Sequence, residues 1–232
     1  MIYITGDTHG DFSRIAEFCF EYGTTTNDIM IILGDAGINY HLSEADQYLK
    51  EELAQLPLTL LIIHGNHEER PENIQTYLDK KWHGGMVYFE EEYPNLLFAS
   101  DGEIYDLDGA KAIAIGGAYS VDKYYRLRQG LAWFESEQPD EYVKSFVESQ
   151  LEQVNWRIDF VLSHTCPEKF IPFESFLPNI DDNAVDRSTE EWLDEIEKKL
   201  DYDRWFFGHF HTEKNMGQYS CLYENFEYLD DF

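Results

Sequence analysis

Positive charge is scarce in this chain: 17 lysines and arginines face 46 aspartates and glutamates, a formal net charge of −29 at pH 7. Affinity for extended nucleic acid comes largely from neutralising many phosphates with Lys and Arg. No basic stripe or cluster is present to do so, and an extended polyanion is not an expected partner. A small anion stays admissible where bound cations make one cleft locally positive. Most of the acidity reads as solubility. Cysteine is also rare. Cys19, Cys166 and Cys221 form an odd set without framework spacing, which argues against a disulfide scaffold and for a reducing compartment. No Pro/Ser/Gly-rich linker, low-complexity stretch or repeat interrupts the 232 residues, so a single domain, 1–232, is expected. Long apolar segments are missing, and Met1 runs directly into Ile2-Tyr3-Ile4 without a basic leader region. Neither a membrane span nor secretion is expected, and the predicted location is the cytoplasm. Hydrophobic content of 43% and aromatic content of 16% exclude disorder.

What is present alternates. Ile2–Thr5 is a β-branched and aromatic run ending at Gly6, and Asp11 stands where it can cap a helix with Ile15, Phe18, Cys19 and Tyr22 on one face, stopped at Gly23. Ile29–Leu33 is continuously apolar, the mark of a strand buried on both faces. Ser43 with Asp46 resembles a capping box for a helix through Leu53 and Leu56, ended by Pro57 before a third strand, Leu58–Ile63. This order argues for parallel pairing. Short strands follow at Val87–Phe89, Leu96–Phe98, Glu103–Tyr105 and Ala112–Ile115. A helix is then predicted with Pro139 in its first turn and Tyr142, Phe146, Val147, Leu151 and Val154 on one face. Phe160–Leu162 and Arg204–Phe207 read as strands, Tyr219–Tyr223 as a pairing segment, and Ser188 with Glu191 as the cap of a helix reaching Leu200. The expected fold is α/β: a two-sheet β-sandwich of mixed strands with helices on its outer faces.

Five motifs sit where strands should end: Gly6-Asp7-Thr8-His9-Gly10, Gly34-Asp35, Gly65-Asn66-His67-Glu68, Ser163-His164 and Gly208-His209-Phe210-His211. Strand ends in open α/β sheets gather side chains into one crevice. The glycines are expected to permit the tight turns that aim the next side chain. Asp7 and His9, two residues apart, point to one side of an extended segment, and His209 and His211 repeat that spacing. Asp35 offers a carboxylate able to bridge two cations, Asn66 a neutral carbonyl oxygen, and His164 an imidazole. Together they supply oxygen and nitrogen ligands in the mixture that two close divalent metals need. Such a set suits Mn, Fe, Zn, Co or Ni better than Ca or Mg, with Mn favoured.

In these motifs the chain resembles the calcineurin-like metallophosphoesterases, whose pattern is D-x-H, G-D, G-N-H-[ED], H and G-H-x-H. The resemblance spans Asp7 to His211. It implies that family's two-sheet sandwich, two divalent metal ions, and hydrolysis of a phosphoester by a metal-bridging hydroxide. It further implies Asp7, His9, Asp35 and His211 around one ion and Asp35, Asn66, His164 and His209 around the other. His67 is the implied general acid, protonating the leaving-group oxygen.

One departure bears on substrate. Relatives usually continue G-D-x-x-D-R-G, whereas here Ile38 replaces the aspartate that orients the catalytic histidine and Asn39 replaces the phosphate-binding arginine. Glu68 or Asn39 could orient His67 instead. Relatives with protein-phosphatase activity carry Arg where His64 stands, which disfavours a Ser/Thr protein phosphatase. The leading expectation is therefore a phosphomonoesterase or phosphodiesterase acting on a small, nucleotide-like substrate. A non-catalytic scaffold that binds protein partners is the alternative of another class. The run Gly116–Arg128 follows a strand and concentrates scarce positive charge beside aromatics. Arg126 or Arg128 could grip phosphate there, and Tyr124 or Tyr125 could stack on a ring. His41 and His83 read as surface or packing residues, Cys166 as a small packing residue, and the tail Tyr223–Phe232 as a docking strand, an oligomer contact or a frayed end.

Overall fold

The alternation of apolar residues along each strand sorts them onto two faces. In the first strand, β1 (Ile2–Thr5), Ile2 and Ile4 face one core while Tyr3 faces another. The same split recurs in β2 (Ile29–Ile32) and β3 (Thr59–Ile62): Ile31 and Leu61 turn inward, and Met30, Ile32, Leu60 and Ile62 outward. Strands buried on both faces are built this way, which is why their sequences read as continuous apolar runs. A computed structural model, describing residues 1–176 and 185–229, shows what the two faces meet.

Two mixed sheets pack face to face. In the first, β1, β2, β3 and β6 (Leu96–Ala99) run parallel, and an antiparallel hairpin of β4 (Leu78–Trp82) and β5 (Gly85–Phe89) extends one edge. In the second, β8 (Ala110–Ile115), β9 (Arg157–Ser163) and β10 (Asp201–Phe207) are parallel. The flanking strands are β7 (Ile104–Leu107) on one side, then β12 (Tyr219–Cys221) and β11 (Lys214–Met216) on the other. Between the sheets lie Ile4, Ile31, Leu61, Ala114, Leu162 and Phe206. Burying an Ile, Leu or Phe side chain stabilises by roughly 1.5–3 kcal/mol. The outer face of the first sheet is covered by α1 (Ser13–Tyr22) and α2 (Glu44–Leu53), and that of the second by α4 (Glu141–Gln153) and α5 (Ser188–Glu197). The expected α/β two-sheet sandwich is the observed architecture.

Helix starts differ from expectation in detail. Asp11 accepts from Ser13 N at 3.0 Å and so caps the first turn of α1, with Phe12 at the cap position itself. Asp140 rather than Pro139 opens α4, accepting from Val143 N at 2.8 Å. Arg187 holds the cap position of α5 and Asp186 accepts from Ser188 N, in place of the Ser188/Glu191 box. At Ser43 the hydroxyl accepts from Ala45 N, while Asp46 turns back to accept from His41 N and Leu42 N. The β4–β5 hairpin was not foreseen, because Leu78-Asp79-Lys80-Lys81-Trp82 lacks apolar alternation. Its two-residue turn is His83-Gly84, both at positive φ (47° and 92°), as a turn matching strand twist requires. The tail supplies β13 (Phe226–Tyr228), paired antiparallel to β1 with Tyr228 opposite Tyr3. It is therefore a docking strand on its own chain, and residues 230–232 of the expected tail segment lie outside the described residues. Among the described residues no helix is long and apolar enough to cross a membrane. The cysteines are free and buried, and Cys166 packs in the outer cluster of the second sheet.

Candidate metal centre

All five motifs leave the same end of the sandwich, three from the parallel strands β1, β2 and β3 and two from β9 and β10. Backbone bonds lock their turns together. Thr8 N and His9 N both donate to the Asp35 carbonyl (3.2 and 2.8 Å), Gly208 N donates to the His164 carbonyl (3.0 Å), and His164 N to the Ile115 carbonyl (3.1 Å). Two carboxylates complete the weave: Asp7 Oδ1 accepts from His209 N at 2.9 Å, and Asp35 Oδ1 from His67 N at 2.8 Å. Four of the candidate ligands hold a left-handed backbone: His9 (φ 47°), Asp35 (45°), His209 (66°) and His211 (47°). Residues without glycine's freedom sit there at a cost of order 1–3 kcal/mol each, and such strain clusters at functional sites.

The glycines work differently from the expectation. Of the four that directly precede a candidate ligand, Gly6, Gly34, Gly65 and Gly208, only Gly34 has positive φ (95°); the other three lie outside the left-handed region. What those three need is space. A Cβ on Gly65 would collide with the backbone N and Oδ1 of Asp35, one on Gly208 with Asp7 Oδ1, and one on Gly6 with the Leu222 carbonyl. Gly34 combines both demands, since its Cβ would fall on the ring of His164.

Around Asp7, the Nε2 atoms of His211 and His9 lie 3.3 and 3.7 Å from Oδ2, and 2.8 Å from each other. Asp7 Oδ2 is buried and has no hydrogen-bond partner among the described residues. A carboxylate oxygen and two imidazole nitrogens at these spacings fit a divalent ion with bonds of about 2.0–2.2 Å, whose ligand atoms stand roughly 3 Å apart. A second group is formed by Asp7, Asp35 and His164. His164 Nε2 is 3.6 Å from Asp35 Oδ1 and 2.8 Å from Asn66 Oδ1, while its Nδ1–H donates to the Leu33 carbonyl at 2.7 Å. That bond fixes the tautomer and leaves Nε2 free as a ligand. The His209 ring packs edge-on to that of His164, with centroids 4.9 Å apart. Asp7 belongs to both groups, and the donor atoms of each group fit a divalent cation.

The electrostatics agree. Burial alone would raise the Asp35 carboxyl, but the imidazoles of His164, His67 and His9 outweigh it and hold it below the usual carboxylate range. Burial, reinforced by His164, pushes His209 down to about 3, so it is a neutral imidazole with a lone pair to offer. His211 is raised, chiefly by its contact with Asp7. His64 is buried behind the site, with neither ring nitrogen hydrogen-bonded among the described residues.

His67 stands at the mouth, its Nε2 3.8 Å from Asp35 Oδ2. The two residues expected to orient it are engaged elsewhere. Glu68 is fully buried, accepting from Gly65 N at 3.0 Å, and Asn39 accepts from the Tyr77 hydroxyl at 3.0 Å. The group beside His67 is Arg126, whose Nη2 lies 3.5 Å from Nε2. Burial and the Arg126 charge lower the His67 pKa, against the pull of Asp35. Arg126 rides on α3 (Lys123–Gln129), braced by Asp122 Oδ2 (2.7 Å) and the Tyr40 hydroxyl (3.1 Å). Tyr124 and Arg128 are two residues either side of it, roughly 200° around a helix. They accordingly face away, and the Arg128 Nε donates to the Tyr124 carbonyl (3.1 Å); Tyr124 is exposed, as is Tyr125. A cleft of about 460 Å³ opens beside His9 and His67, lined further by Arg126, Tyr40, His41 and Leu49. Tyr40 and His41 were missed as lining residues; the signal was their place in the segment that departs from the family pattern after Asp35.

No curated relative matches the chain by sequence. Among solved structures, one crystal structure is 14% identical, with a TM-score of 0.51 over 95% of this chain and 88% of that one. Phosphopantetheinyl hydrolase (PptH) from Mycobacterium tuberculosis is 12% identical, with a TM-score of 0.49 over 96% and 89%. The calcineurin-like phosphoesterase family matches residues 1–213. The chain belongs to that family and is a metal-dependent phosphoester hydrolase.

Proposed function

We propose that the protein is a dinuclear phosphoesterase acting on a small phosphorylated, nucleotide-like compound. Asp7, His9, Asp35 and His211 would hold one ion, and Asp35, Asn66, His164 and His209 the other, with manganese first among the candidates and Fe, Zn, Ni or Co alternatives. Two such ions supply Lewis-acid charge to phosphoryl oxygens and acidify water near neutral pH. The chain's own contribution is to place a proton and a positive charge on the leaving-group side. His67 gives its proton to the departing oxygen, and Arg126 holds a non-bridging oxygen with the Nη2 that its other partners leave facing the cleft. Arg126 thereby takes the part of the arginine that Asn39 replaces. Tyr124 and Arg128, considered from sequence as substrate groups, have no part in this reading.

The observation that carries the proposal is the juxtaposition of His67 and Arg126 at the edge of the Asp35-centred cluster, both lining one narrow cleft. A cleft of that size suits a small molecule better than a folded phosphoprotein. The test is a hydrolysis panel with Mn, Ni, Co, Zn or Mg. It compares a phosphomonoester, a phosphodiester, cyclic nucleotides, dinucleoside polyphosphates and a phosphopeptide. His67→Ala is expected to lower turnover about 10²–10⁴-fold while keeping its metals, and Asp35→Asn to lose both ions. Failure to turn over any substrate with any metal would sink the reading, and preference for the phosphopeptide would replace it with a protein phosphatase.

A further inference from the structure

A side-chain amide has two ends of nearly equal shape and opposite sense: the carbonyl oxygen can approach a cation, and the NH₂ group cannot. Which end of Asn66 faces the centre is therefore set by its neighbours rather than by packing. Its Nδ2 donates to Ser120 Oγ at 2.9 Å, leaving Oδ1 toward His164. A hydroxyl both donates and accepts, so Ser120 alone does not dictate this sense. Behind Ser120 lies Glu137, 2% exposed, whose carboxylate sits against the Ser120 hydroxyl and backbone N–H. Glu137 Oε2 accepts from the Trp133 indole N–H at 2.7 Å. Oε1 is buried without a hydrogen-bond partner among the described residues, and the Ser120 hydroxyl is the donor at hand.

An ionised carboxylate only accepts and an indole only donates, which gives the chain of contacts one direction. The Trp133 N–H points to Glu137 and the Asn66 N–H to Ser120; a Ser120 O–H turned to the unpartnered Glu137 Oε1 completes the order and leaves the Asn66 carbonyl for the metal centre. We propose that Ser120 and Glu137 are positioning residues that fix the sense of the Asn66 amide toward the second metal ion. This rests on the dinuclear reading above.

Glu137→Gln tests it because the change is isosteric. A new amide that keeps its oxygen on the Trp133 indole presents its NH₂ to Ser120. The Ser120 hydroxyl then donates to Asn66, whose carbonyl turns away from the centre. In calorimetric titration of metal-free protein with Mn²⁺, wild type should take up two ions. Glu137→Gln should bind the second ~10–100-fold more weakly, with the first unchanged. Ser120→Ala should weaken the second ion in the same direction and Ser120→Thr restore it, and the electron paramagnetic signal of coupled Mn²⁺ should follow the same order. Two ions at wild-type affinity in both Glu137→Gln and Ser120→Ala overturn the proposal alone. A wild-type chain that binds fewer than two ions overturns it together with the dinuclear reading. Should Glu137→Gln fail to fold, the serine pair decides: equal affinity of Ser120→Ala and wild type overturns the proposal.

Discussion

Glu190 is the buried acid with the clearest consequence of its own. It lies 5% exposed on α5, with Oε1 accepting from Thr165 Oγ1 at 2.7 Å and Oε2 unpartnered among the described residues. Burial raises its carboxyl from 4.5 to about 7, the Thr165 bond opposing the shift only in part. A carboxyl raised in the folded state holds its proton there after the unfolded chain has lost its own. Its contribution to stability is thus complete below about pH 4.5 and is lost as pH rises through about 7. Glu190→Gln should flatten the stability profile across that window and be the more stable protein at pH 8, by up to about 3 kcal/mol. Chemical denaturation at pH 5, 6, 7 and 8 checks this; parallel profiles for variant and wild type would refute it. The candidate metal ligands could be read from the sequence because each is a reactive residue type at the end of an apolar run. The reason for Gly65 and Gly208 could not, since the atoms their Cβ would strike belong to Asp35 and Asp7 on other strands. Ser120 and Glu137 were invisible for the same reason: Asn66 and Ser120 are 54 positions apart and meet only through the fold.

Among the elements, the parallel strands were legible and α3 was not. Strands buried on both faces announce themselves as apolar runs, and β1 matches its predicted bounds at Ile2–Thr5. By contrast α3 has no buried residue, so no apolar stripe marked it, and the sequence shows it only as part of the substrate-facing run Gly116–Arg128. Its helical pitch is what separates Arg126 from Tyr124 and Arg128. That placement has a kinetic signature. His67 must be protonated to serve as an acid, so turnover should fall as pH rises through its pKa. Burial and the Arg126 charge lower that pKa, putting the fall below the ordinary imidazole value of about 6.5. Removing the guanidinium in Arg126→Ala should move the descending limb to higher pH and raise KM for the phosphorylated substrate. Rate profiles between pH 5 and 9 for both proteins test this, and an unmoved limb with an unmoved KM would remove Arg126 from the site.

For the whole molecule the dominant quantity is the net charge of −29. Spread over the surface, it opposes the approach of any anionic substrate, whereas the centre and Arg126 attract it only within the cleft. The two fields respond differently to salt. Exposed charges act over a Debye length of about 30 Å at 0.01 M, which shrinks to about 8 Å at 0.15 M; partly buried contacts are screened much less. Raising ionic strength across that range should strip the long-range repulsion first and leave the local attraction largely in place. We therefore expect kcat/KM for a doubly charged phosphomonoester to rise, by roughly 2–10-fold, before falling at higher salt. A neutralised substrate such as a methylated phosphotriester analogue, measured for binding, should show little of this rise. The same screening relieves self-repulsion in the folded chain, so the midpoint of thermal unfolding should climb over the same range. A kcat/KM that instead declines steadily from 0.01 M while the unfolding midpoint climbs would mean that the cleft's positive field reaches into solvent beyond the acidic surface. Substrate capture would then be governed by the metal centre alone.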